Sequence, residues 1–146
     1  MTTVKDILAT KGSRVLSTSK DATVIEAALL MNKHRVGSLV VKEDDDQIVG
    51  MFTERDILER VVGEHRDPAT TLVSEVMTTE VACCTLETSI DEARYAMKNR
   101  RIRHVPVVDS NGHVHGLVSI GDLNAHLASS QEQTIYLLQE YLYGRV

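Results

Sequence analysis

Gly50-Met51-Phe52-Thr53-Glu54-Arg55-Asp56 returns 66 residues later as Gly116-Leu117-Val118-Ser119-Ile120-Gly121-Asp122. The same shift of 66 carries Ala27 onto Ala93, Met31 onto Met97, Arg35 onto Arg101 and Val15 onto Val81, with no gap from Val15 to Ile57. One supersecondary unit therefore occurs twice. A unit of roughly 60 residues buries only about 60% of its unfolded surface and is marginal alone. The two copies are expected to share one core. Each copy also keeps a hydroxyl, Thr53 or Ser119, three residues before a carboxylate, Asp56 or Asp122. The string that marks the fold thus also marks a candidate site.

Working outward, Thr23-Val24-Ile25-Glu26 and Ser89-Ile90-Asp91-Glu92 pair an N-cap hydroxyl with an acid at N3, the capping-box pattern. Val24, Ala27, Ala28 and Met31 follow at helical spacing, which predicts a helix to about Lys33; Ile90, Ala93 and Met97 repeat it. A short apolar stretch at Val15-Leu16 precedes the first helix. The β-branched runs Ser38–Val41 and His104–Val108 read as buried strands. Turns at Glu43–Gln47 and Asp109–Gly112 lead to return strands, Ile48–Phe52 and Val114–Val118, and Asn111-Gly112 is a strong hairpin signal. Pro106 removes a ladder donor, so its strand should be an edge or irregular there. A second helix starts at Thr53 and at Ser119.

The fold class expected is α/β (α+β): two tandem β-α-β-β-α repeats packed as a pseudo-twofold pair. The first repeat covers 1–63 with a lead-in at Val4–Leu8, and 64–73 is a linker. The second covers 74–128 with a similar lead-in at Ser74–Met77. Residues 129–146 form a C-terminal helix, with Ile135, Leu138 and Leu142 on its apolar face.

Composition narrows the function. Aromatics are 3% of 146 residues, so the core is aliphatic. The net charge of −5 argues against a nucleic-acid surface, which needs a basic footprint. No apolar run reaches the ~20 residues of a membrane span, and the acid-bearing N-terminus lacks a signal core; the expected compartment is the cytoplasm. Adjacent Cys83 and Cys84 cannot make a framework disulfide and read as thiols.

A hydroxyl at a helix N-terminus can donate to a phosphate, where unpaired N–H groups already favour anions. A carboxylate there would repel phosphate, but it can accept two hydroxyls of a ribose diol. Hydroxyl, carboxylate and nearby arginine together suggest a ribonucleotide. The same spacing is equally that of a capping box, and a duplicated fold duplicates its caps.

The pattern Gly-hydrophobic-hydrophobic-Thr/Ser-x-x-Asp, closing a strand-helix-strand-strand-helix unit twice from about Val4 to Leu127, resembles the cystathionine β-synthase (CBS) domain pair, or Bateman module. The resemblance implies two clefts between the repeats, and ligands carrying adenosine: AMP, ADP, ATP, S-adenosylmethionine or NAD(H). It implies Thr53 and Asp56 in one cleft, with Arg103, His104 and Cys84 borrowed from the other repeat. It implies Ser119 and Asp122 in the second, with Thr18, Gly37 and Ser38. The Asp56 side gains Arg103 and His104, with Arg55 and Arg101, whereas the Asp122 side has Gly37-Ser38 where the other has Arg103-His104 and Gly121 where it has Arg55. That side should hold more phosphate, and AMP fits it best.

Other signals carry less. His113 and His115 share a strand face without a third ligand of metal-site spacing. Asp44–Asp46 lacks a calcium-loop signature. Ser17-Thr18-Ser19-Lys20 lacks the partner motifs of a serine hydrolase. Asp56 and Asp122 lie in separate repeats and should form no catalytic couple. The expectation is a non-enzymatic adenosine-nucleotide sensor, homodimeric, acting on an unidentified target protein, with no metal. The competing expectation is a dimerisation or protein-interaction module with empty clefts.

Overall fold

The computed structural model describes residues 2–128, so the expected C-terminal helix lies outside the described residues. The elements run α1 (Val4–Lys11), β1 (Ser17–Ser19), α2 (Val24–His34), β2 (Ser38–Lys42), β3 (Ile48–Thr53), α3 (Glu54–Asp56) continued by a π-helical segment (Ile57–Val62), α4 (Val73–Val76), α5 (Ile90–Arg100), β4 (His104–Val108), β5 (Val114–Ser119) and α6 (Ile120–Ala128). Both capping residues act as the sequence predicts: Thr23 Oγ1 accepts from Glu26 N at 3.2 Å, and Ser89 Oγ from Glu92 N at 3.1 Å. Both helices end identically, with Arg35 and Arg101 left-handed at φ 54°. The amides of Val36 and Ile102 then reach back to the carbonyls of Met31 and Met97 at 3.1 and 3.0 Å, a Schellman closure. The second helix of the first repeat is mostly π rather than α; Arg60 Nη1 there donates to the Val76 and Met77 carbonyls at 3.2 and 2.9 Å, tying it to the end of α4.

The sheets are parallel β1–β2 plus antiparallel β2–β3 in the first repeat, and antiparallel β4–β5 in the second. The first strand begins at Ser17, just after the expected Val15-Leu16, and the Leu16 carbonyl accepts from Val40 N at 3.1 Å. Its counterpart in the second repeat shrinks to one bridge, Cys84 to Val107. Pro106 explains this. It occupies the position of Val40, and having no N–H it cannot bind Ala82 as Val40 binds Leu16. Its carbonyl faces the Cys84 side at 2.9 Å, so the β4–β5 ladder loses nothing.

The buried side chains form two clusters rather than the single shared core expected. One gathers Val24, Ala27, Met31, Leu39, Val41 and Phe52 of the first repeat with Val73 and Val76 of α4. The other gathers Ile90, Ala93, Met97, Val105, Val107, Val118 and Leu123 with Val4, Ile7 and Leu8 of α1. Each lead-in thus completes the core of the other repeat, not of the one that directly follows it. The backbone repeats the exchange: Val24 N meets Thr71 O at 2.9 Å and Ile90 N meets Thr2 O at 3.3 Å, while Val73 N meets Ala22 O at 2.8 Å and Val4 N meets Thr88 O at 2.9 Å. The helix that opens the chain belongs, by packing, to the second repeat.

The glycine opening each repeated string admits the lead-in. A Cβ on Gly50 would stand 2.8 Å from both Met77 Sδ and the Thr78 backbone oxygen, and one on Gly116 would stand 2.8 Å from the Leu8 methyls. The Leu8 methyls end a flexible side chain, whereas the Thr78 carbonyl does not. Gly50→Ala should therefore lower stability by about 1–3 kcal/mol in urea unfolding, as overpacking does, and Gly116→Ala by less. An equal or larger loss in Gly116→Ala would contradict this packing.

Candidate functional site

A cavity of about 710 Å³ opens between the repeats, lined on one side by Thr53, Glu54, Arg55 and Asp56 and on the other by Arg100, Arg101, Ile102, Arg103 and His104. Its volume lies within the range of small-molecule sites. β3 delivers Thr53 to the start of α3, and the left-handed turn after α5 delivers Arg101 and Arg103 opposite it. Arg55 crosses the gap, its Nη1 donating to the Arg101 carbonyl at 3.1 Å. Arg100, Arg101 and Arg103 have no carboxylate partner among the described residues. Their charge faces the cavity without a salt-bridge partner among the described residues.

The Thr53–Asp56 pair forms the cap that its spacing permits. Thr53 Oγ1 accepts from Asp56 N at 3.3 Å, and Asp56 Oδ2 accepts from Thr53 N at 3.0 Å. The other carboxylate oxygen, Oδ1, accepts from Thr78 Oγ1 at 3.2 Å, and the residue is 4% exposed. Thr78, placed by its bridge to Met51, was not a sequence candidate.

Arg103 and His104 line the Asp56 cavity, as the sequence predicts. Two placements differ. Gly37, expected beside Asp122, lines the Asp56 cavity, because its carbonyl accepts from Glu54 N at 3.0 Å and so stays at the start of α3. Cys84, expected at the cavity, lies in the core of the second repeat at 8% exposure, while its neighbours Val81 and Ala82 reach the lining. Burial, with some help from Cys83, pushes its thiol up to about 11. Ser38 is buried and pairs with Thr53 across β2–β3; Thr18 pairs with Val41; neither lines this cavity. Burial pulls the His104 imidazole below its ordinary range, and Lys11 pulls it further down against Glu54 and Asp122.

Ser119 and Asp122 make the same cap, with Asp122 N to Ser119 Oγ at 3.1 Å and Ser119 N to Asp122 Oδ2 at 2.8 Å. The surroundings differ. Lys11 Nζ stands 2.6 Å from Asp122 Oδ2 and 2.6 Å from the Leu117 carbonyl. Burial alone would raise the Asp122 carboxyl, but Lys11 and the Ser119 amide outweigh it and hold it low. Nothing local in the sequence announces a contact spanning 111 residues.

The histidine pair acquires a carboxylate, His115 Nε2 lying 3.0 Å and His113 Nδ1 3.8 Å from Asp109 Oδ2. Among the described residues, however, no group of three or more His, Cys, Asp or Glu is placed to hold a metal ion. No helix among them is long and apolar enough to cross a membrane.

The CBS domain family model matches residues 4–63 and again 73–129. The CBS domain-containing protein YhcV of Bacillus subtilis is 39% identical over 131 residues, covering 90% of this chain and 89% of its own. The crystal structure of the CBS-domain containing protein ATU1752 from Agrobacterium tumefaciens superposes with a TM-score of 0.80 at 36% identity, covering 86% of this chain and 98% of that one. The CBS domain pair of protein MJ0100, in complex with 5′-methylthioadenosine and S-adenosyl-L-methionine, superposes with a TM-score of 0.79 at 26% identity, covering 88% and 98%. With two matched repeats, swapped lead-ins and a cavity between them, the chain belongs to the CBS domain family as a tandem pair.

Proposed function

We propose that this CBS pair is a regulatory module that binds an adenosine nucleotide, AMP foremost, in the cavity between Thr53–Asp56 and Arg100–His104. The observation that carries the reading is the set of three arginines, 100, 101 and 103, without carboxylate partners among the described residues, facing a carboxylate-bearing wall across a nucleotide-sized space. Arginine forks match phosphate oxygens. Asp56 supplies the acceptor for ribose hydroxyls once Thr78 yields its Oδ1. The adenosine ligands of the MJ0100 pair support the class of ligand. ATP, ADP and NAD(H) are the alternatives, and their longer phosphate chains would reach toward Arg55 and Arg60.

The output of such a module is a shift between states that bind the nucleotide unequally, passed to a target protein. Ile25 and Leu29 of α2, with Leu58 and Val62 of the π-helical segment, are 40–65% exposed and suit contact with a second copy. Their counterparts in the second repeat are Asp91, Tyr95, Asn124 and Ala128, and Tyr95 is also exposed, so the exposed aliphatic side chains lie on the first repeat and an aromatic one on the second. A homodimer joined there also serves the competing reading, an interaction module without ligand.

Thermal unfolding separates the two. AMP at about 100 times its dissociation constant should raise stability by about 2.7 kcal/mol. No shift with AMP, ATP, NADH or S-adenosylmethionine would leave the interaction module as the function.

A further inference from the structure

The second helix starts from the same cap in both repeats and then differs. Ile120–Ala128 is α-helical, whereas after Glu54–Asp56 the segment Ile57–Val62 winds as a π-helix. The wide turn closes on bonds one residue longer than those of an α-helix: the Gly63 amide donates to the Leu58 carbonyl at 2.8 Å, and the Arg66 amide to the Val61 carbonyl at 2.9 Å. An α-helix would send the Gly63 amide to Glu59. Such turns are rare and concentrate at functional sites, and two local features hold this one. A Cβ on Gly63 would stand 2.9 Å from the Glu59 carbonyl oxygen and 3.2 Å from that of Leu58, so the turn closes over a residue without a side chain. Arg60, in the middle of the segment, donates from Nη1 to the Val76 and Met77 carbonyls at 3.2 and 2.9 Å, and its Nε stands 3.8 Å from Asp56 Oδ1. His126 and Ser129 stand at the matching positions of the second repeat.

The segment serves two surfaces. Leu58, Glu59 and Arg60 line the cavity. Leu58 and Val62 are 65% and 62% exposed, and Val62 lies outside the cavity lining. A phosphate oxygen holds a guanidinium about twice as strongly as a neutral carbonyl does, and the carbonyls that end α4 can turn to water instead. A monophosphate held by Arg103 leaves Arg60 where it is, whereas a longer phosphate chain extends toward it. We infer that the π turn reads the length of the bound phosphate chain: a nucleoside triphosphate draws Arg60 off the α4 carbonyls, Ile57–Val62 relaxes to α-helix, and the side chains that follow come round by roughly one residue step, about 100°. Occupancy of the cavity by the longer nucleotide thereby reaches Val62 on the outer surface. This rests on the nucleotide reading above, and the test separates the two.

Scalar couplings across hydrogen bonds, measured by NMR on the deuterated full chain, identify the carbonyl that each amide meets, and calorimetry reports binding of AMP and ATP separately. In the free and AMP-bound wild type the amide at position 63 should couple to the Leu58 carbonyl. In the ATP-bound wild type it should couple to Glu59. Gly63→Ala, which leaves the cavity lining untouched, and Arg60→Met should make the same change without nucleotide, and either variant suffices should the other fold poorly. The Val62 methyl resonances should move in the same direction in Gly63→Ala and in the ATP complex, and stay in place with AMP. A Glu59 partner in the free wild type, or a Leu58 partner kept in both variants, would overturn the inference. So would ATP binding that leaves the bond on Leu58, AMP moving it as ATP does, or AMP binding without ATP binding, and each of these keeps the nucleotide reading intact. No heat of binding with either nucleotide would overturn both.

Discussion

Ile7→Ala combined with Leu8→Ala should loosen the second repeat and leave the first closed, although both residues precede the first repeat in the chain. Ile7 and Leu8 are buried among Ile90, Met97, Val105 and Val118, none of which lies within 80 residues of them in sequence. Truncating a buried Ile or Leu to Ala costs about 2–5 kcal/mol each, partly lost transfer and partly cavity. Two such losses remove a large share of the 5–15 kcal/mol that holds a domain of this size. Neighbouring sites are not additive, so the double variant is read against each single one.

Cysteine labelling reports where the loosening falls. Cys83 is exposed and should react quickly in every variant. Cys84 belongs to the same cluster as Ile7 and Leu8, and its buried, raised thiol should react only when that cluster opens. Labelling of Cys84 should accelerate strongly in the double variant, while amides of Leu39–Val41 keep their exchange protection. The reciprocal change, Val73→Ala with Val76→Ala in α4, should loosen Leu39–Val41 and spare Cys84, because those valines complete the first cluster. If Ile7→Ala/Leu8→Ala strips protection from Leu39–Val41 and leaves Cys84 slow, the exchange of lead-ins is wrong.

That exchange also shows where the sequence stops being legible. The caps at Thr23 and Ser89, the hairpins and both second-helix starts are local matters, fixed by neighbours within four residues, and they are written in the pattern. So is the effect of Pro106, whose missing N–H removes the bond that Val40 makes in the first repeat. The lead-in Val4-x-x-Ile7-Leu8 is different. Its apolar spacing says that one face is buried, and says nothing of against which repeat. The partner of Asp122 was likewise hidden, because a lysine at the end of α1 reads as a cation complementing a helix C-terminus and not as the ion-pair partner of a carboxylate in the other repeat. One trace was available. Thr78 and Thr79, both β-branched, follow Met77 and disfavour further helix, whereas Ala9-Thr10-Lys11 after Leu8 carries only one such residue. Unequal helix lengths after equal lead-ins were the signal that the two capping aspartates have different neighbours. Arg55, Arg101 and Arg103 line the Asp56 cavity; Gly37 lines it too because its carbonyl holds the Glu54 amide at the start of α3, a cross-strand contact that spacing along the chain does not assign.

Arg103→Ala should weaken AMP binding by about 10–100-fold. Hydrogen bonds to a charged group are worth about 1.5–3 kcal/mol, and each 1.4 kcal/mol is tenfold. Adenosine, which lacks the phosphate, should bind the variant and the wild type equally, so the loss is assigned to phosphate recognition rather than to damaged folding. An equal loss for adenosine would place Arg103 elsewhere than on the phosphate. His104 adds a pH signature to the same contact. In the free protein, burial holds its imidazole below the ordinary range, with Lys11 and Arg103 adding to the effect. A bound phosphate dianion beside it favours the imidazolium, so its pKa is higher in the complex than in the free protein. Binding then takes up a proton, and AMP affinity should rise as pH falls toward the lowered pKa of the free imidazole, which lies below the ordinary histidine value of about 6.5. His104→Gln should flatten that slope without abolishing binding. Phosphate protonation, with a second pKa of about 6, acts in the opposite direction and is common to both proteins, so the difference between their slopes isolates the imidazole. Identical slopes would mean that the phosphate does not reach His104, and would move the nucleotide's charged end toward Arg55 and Arg60.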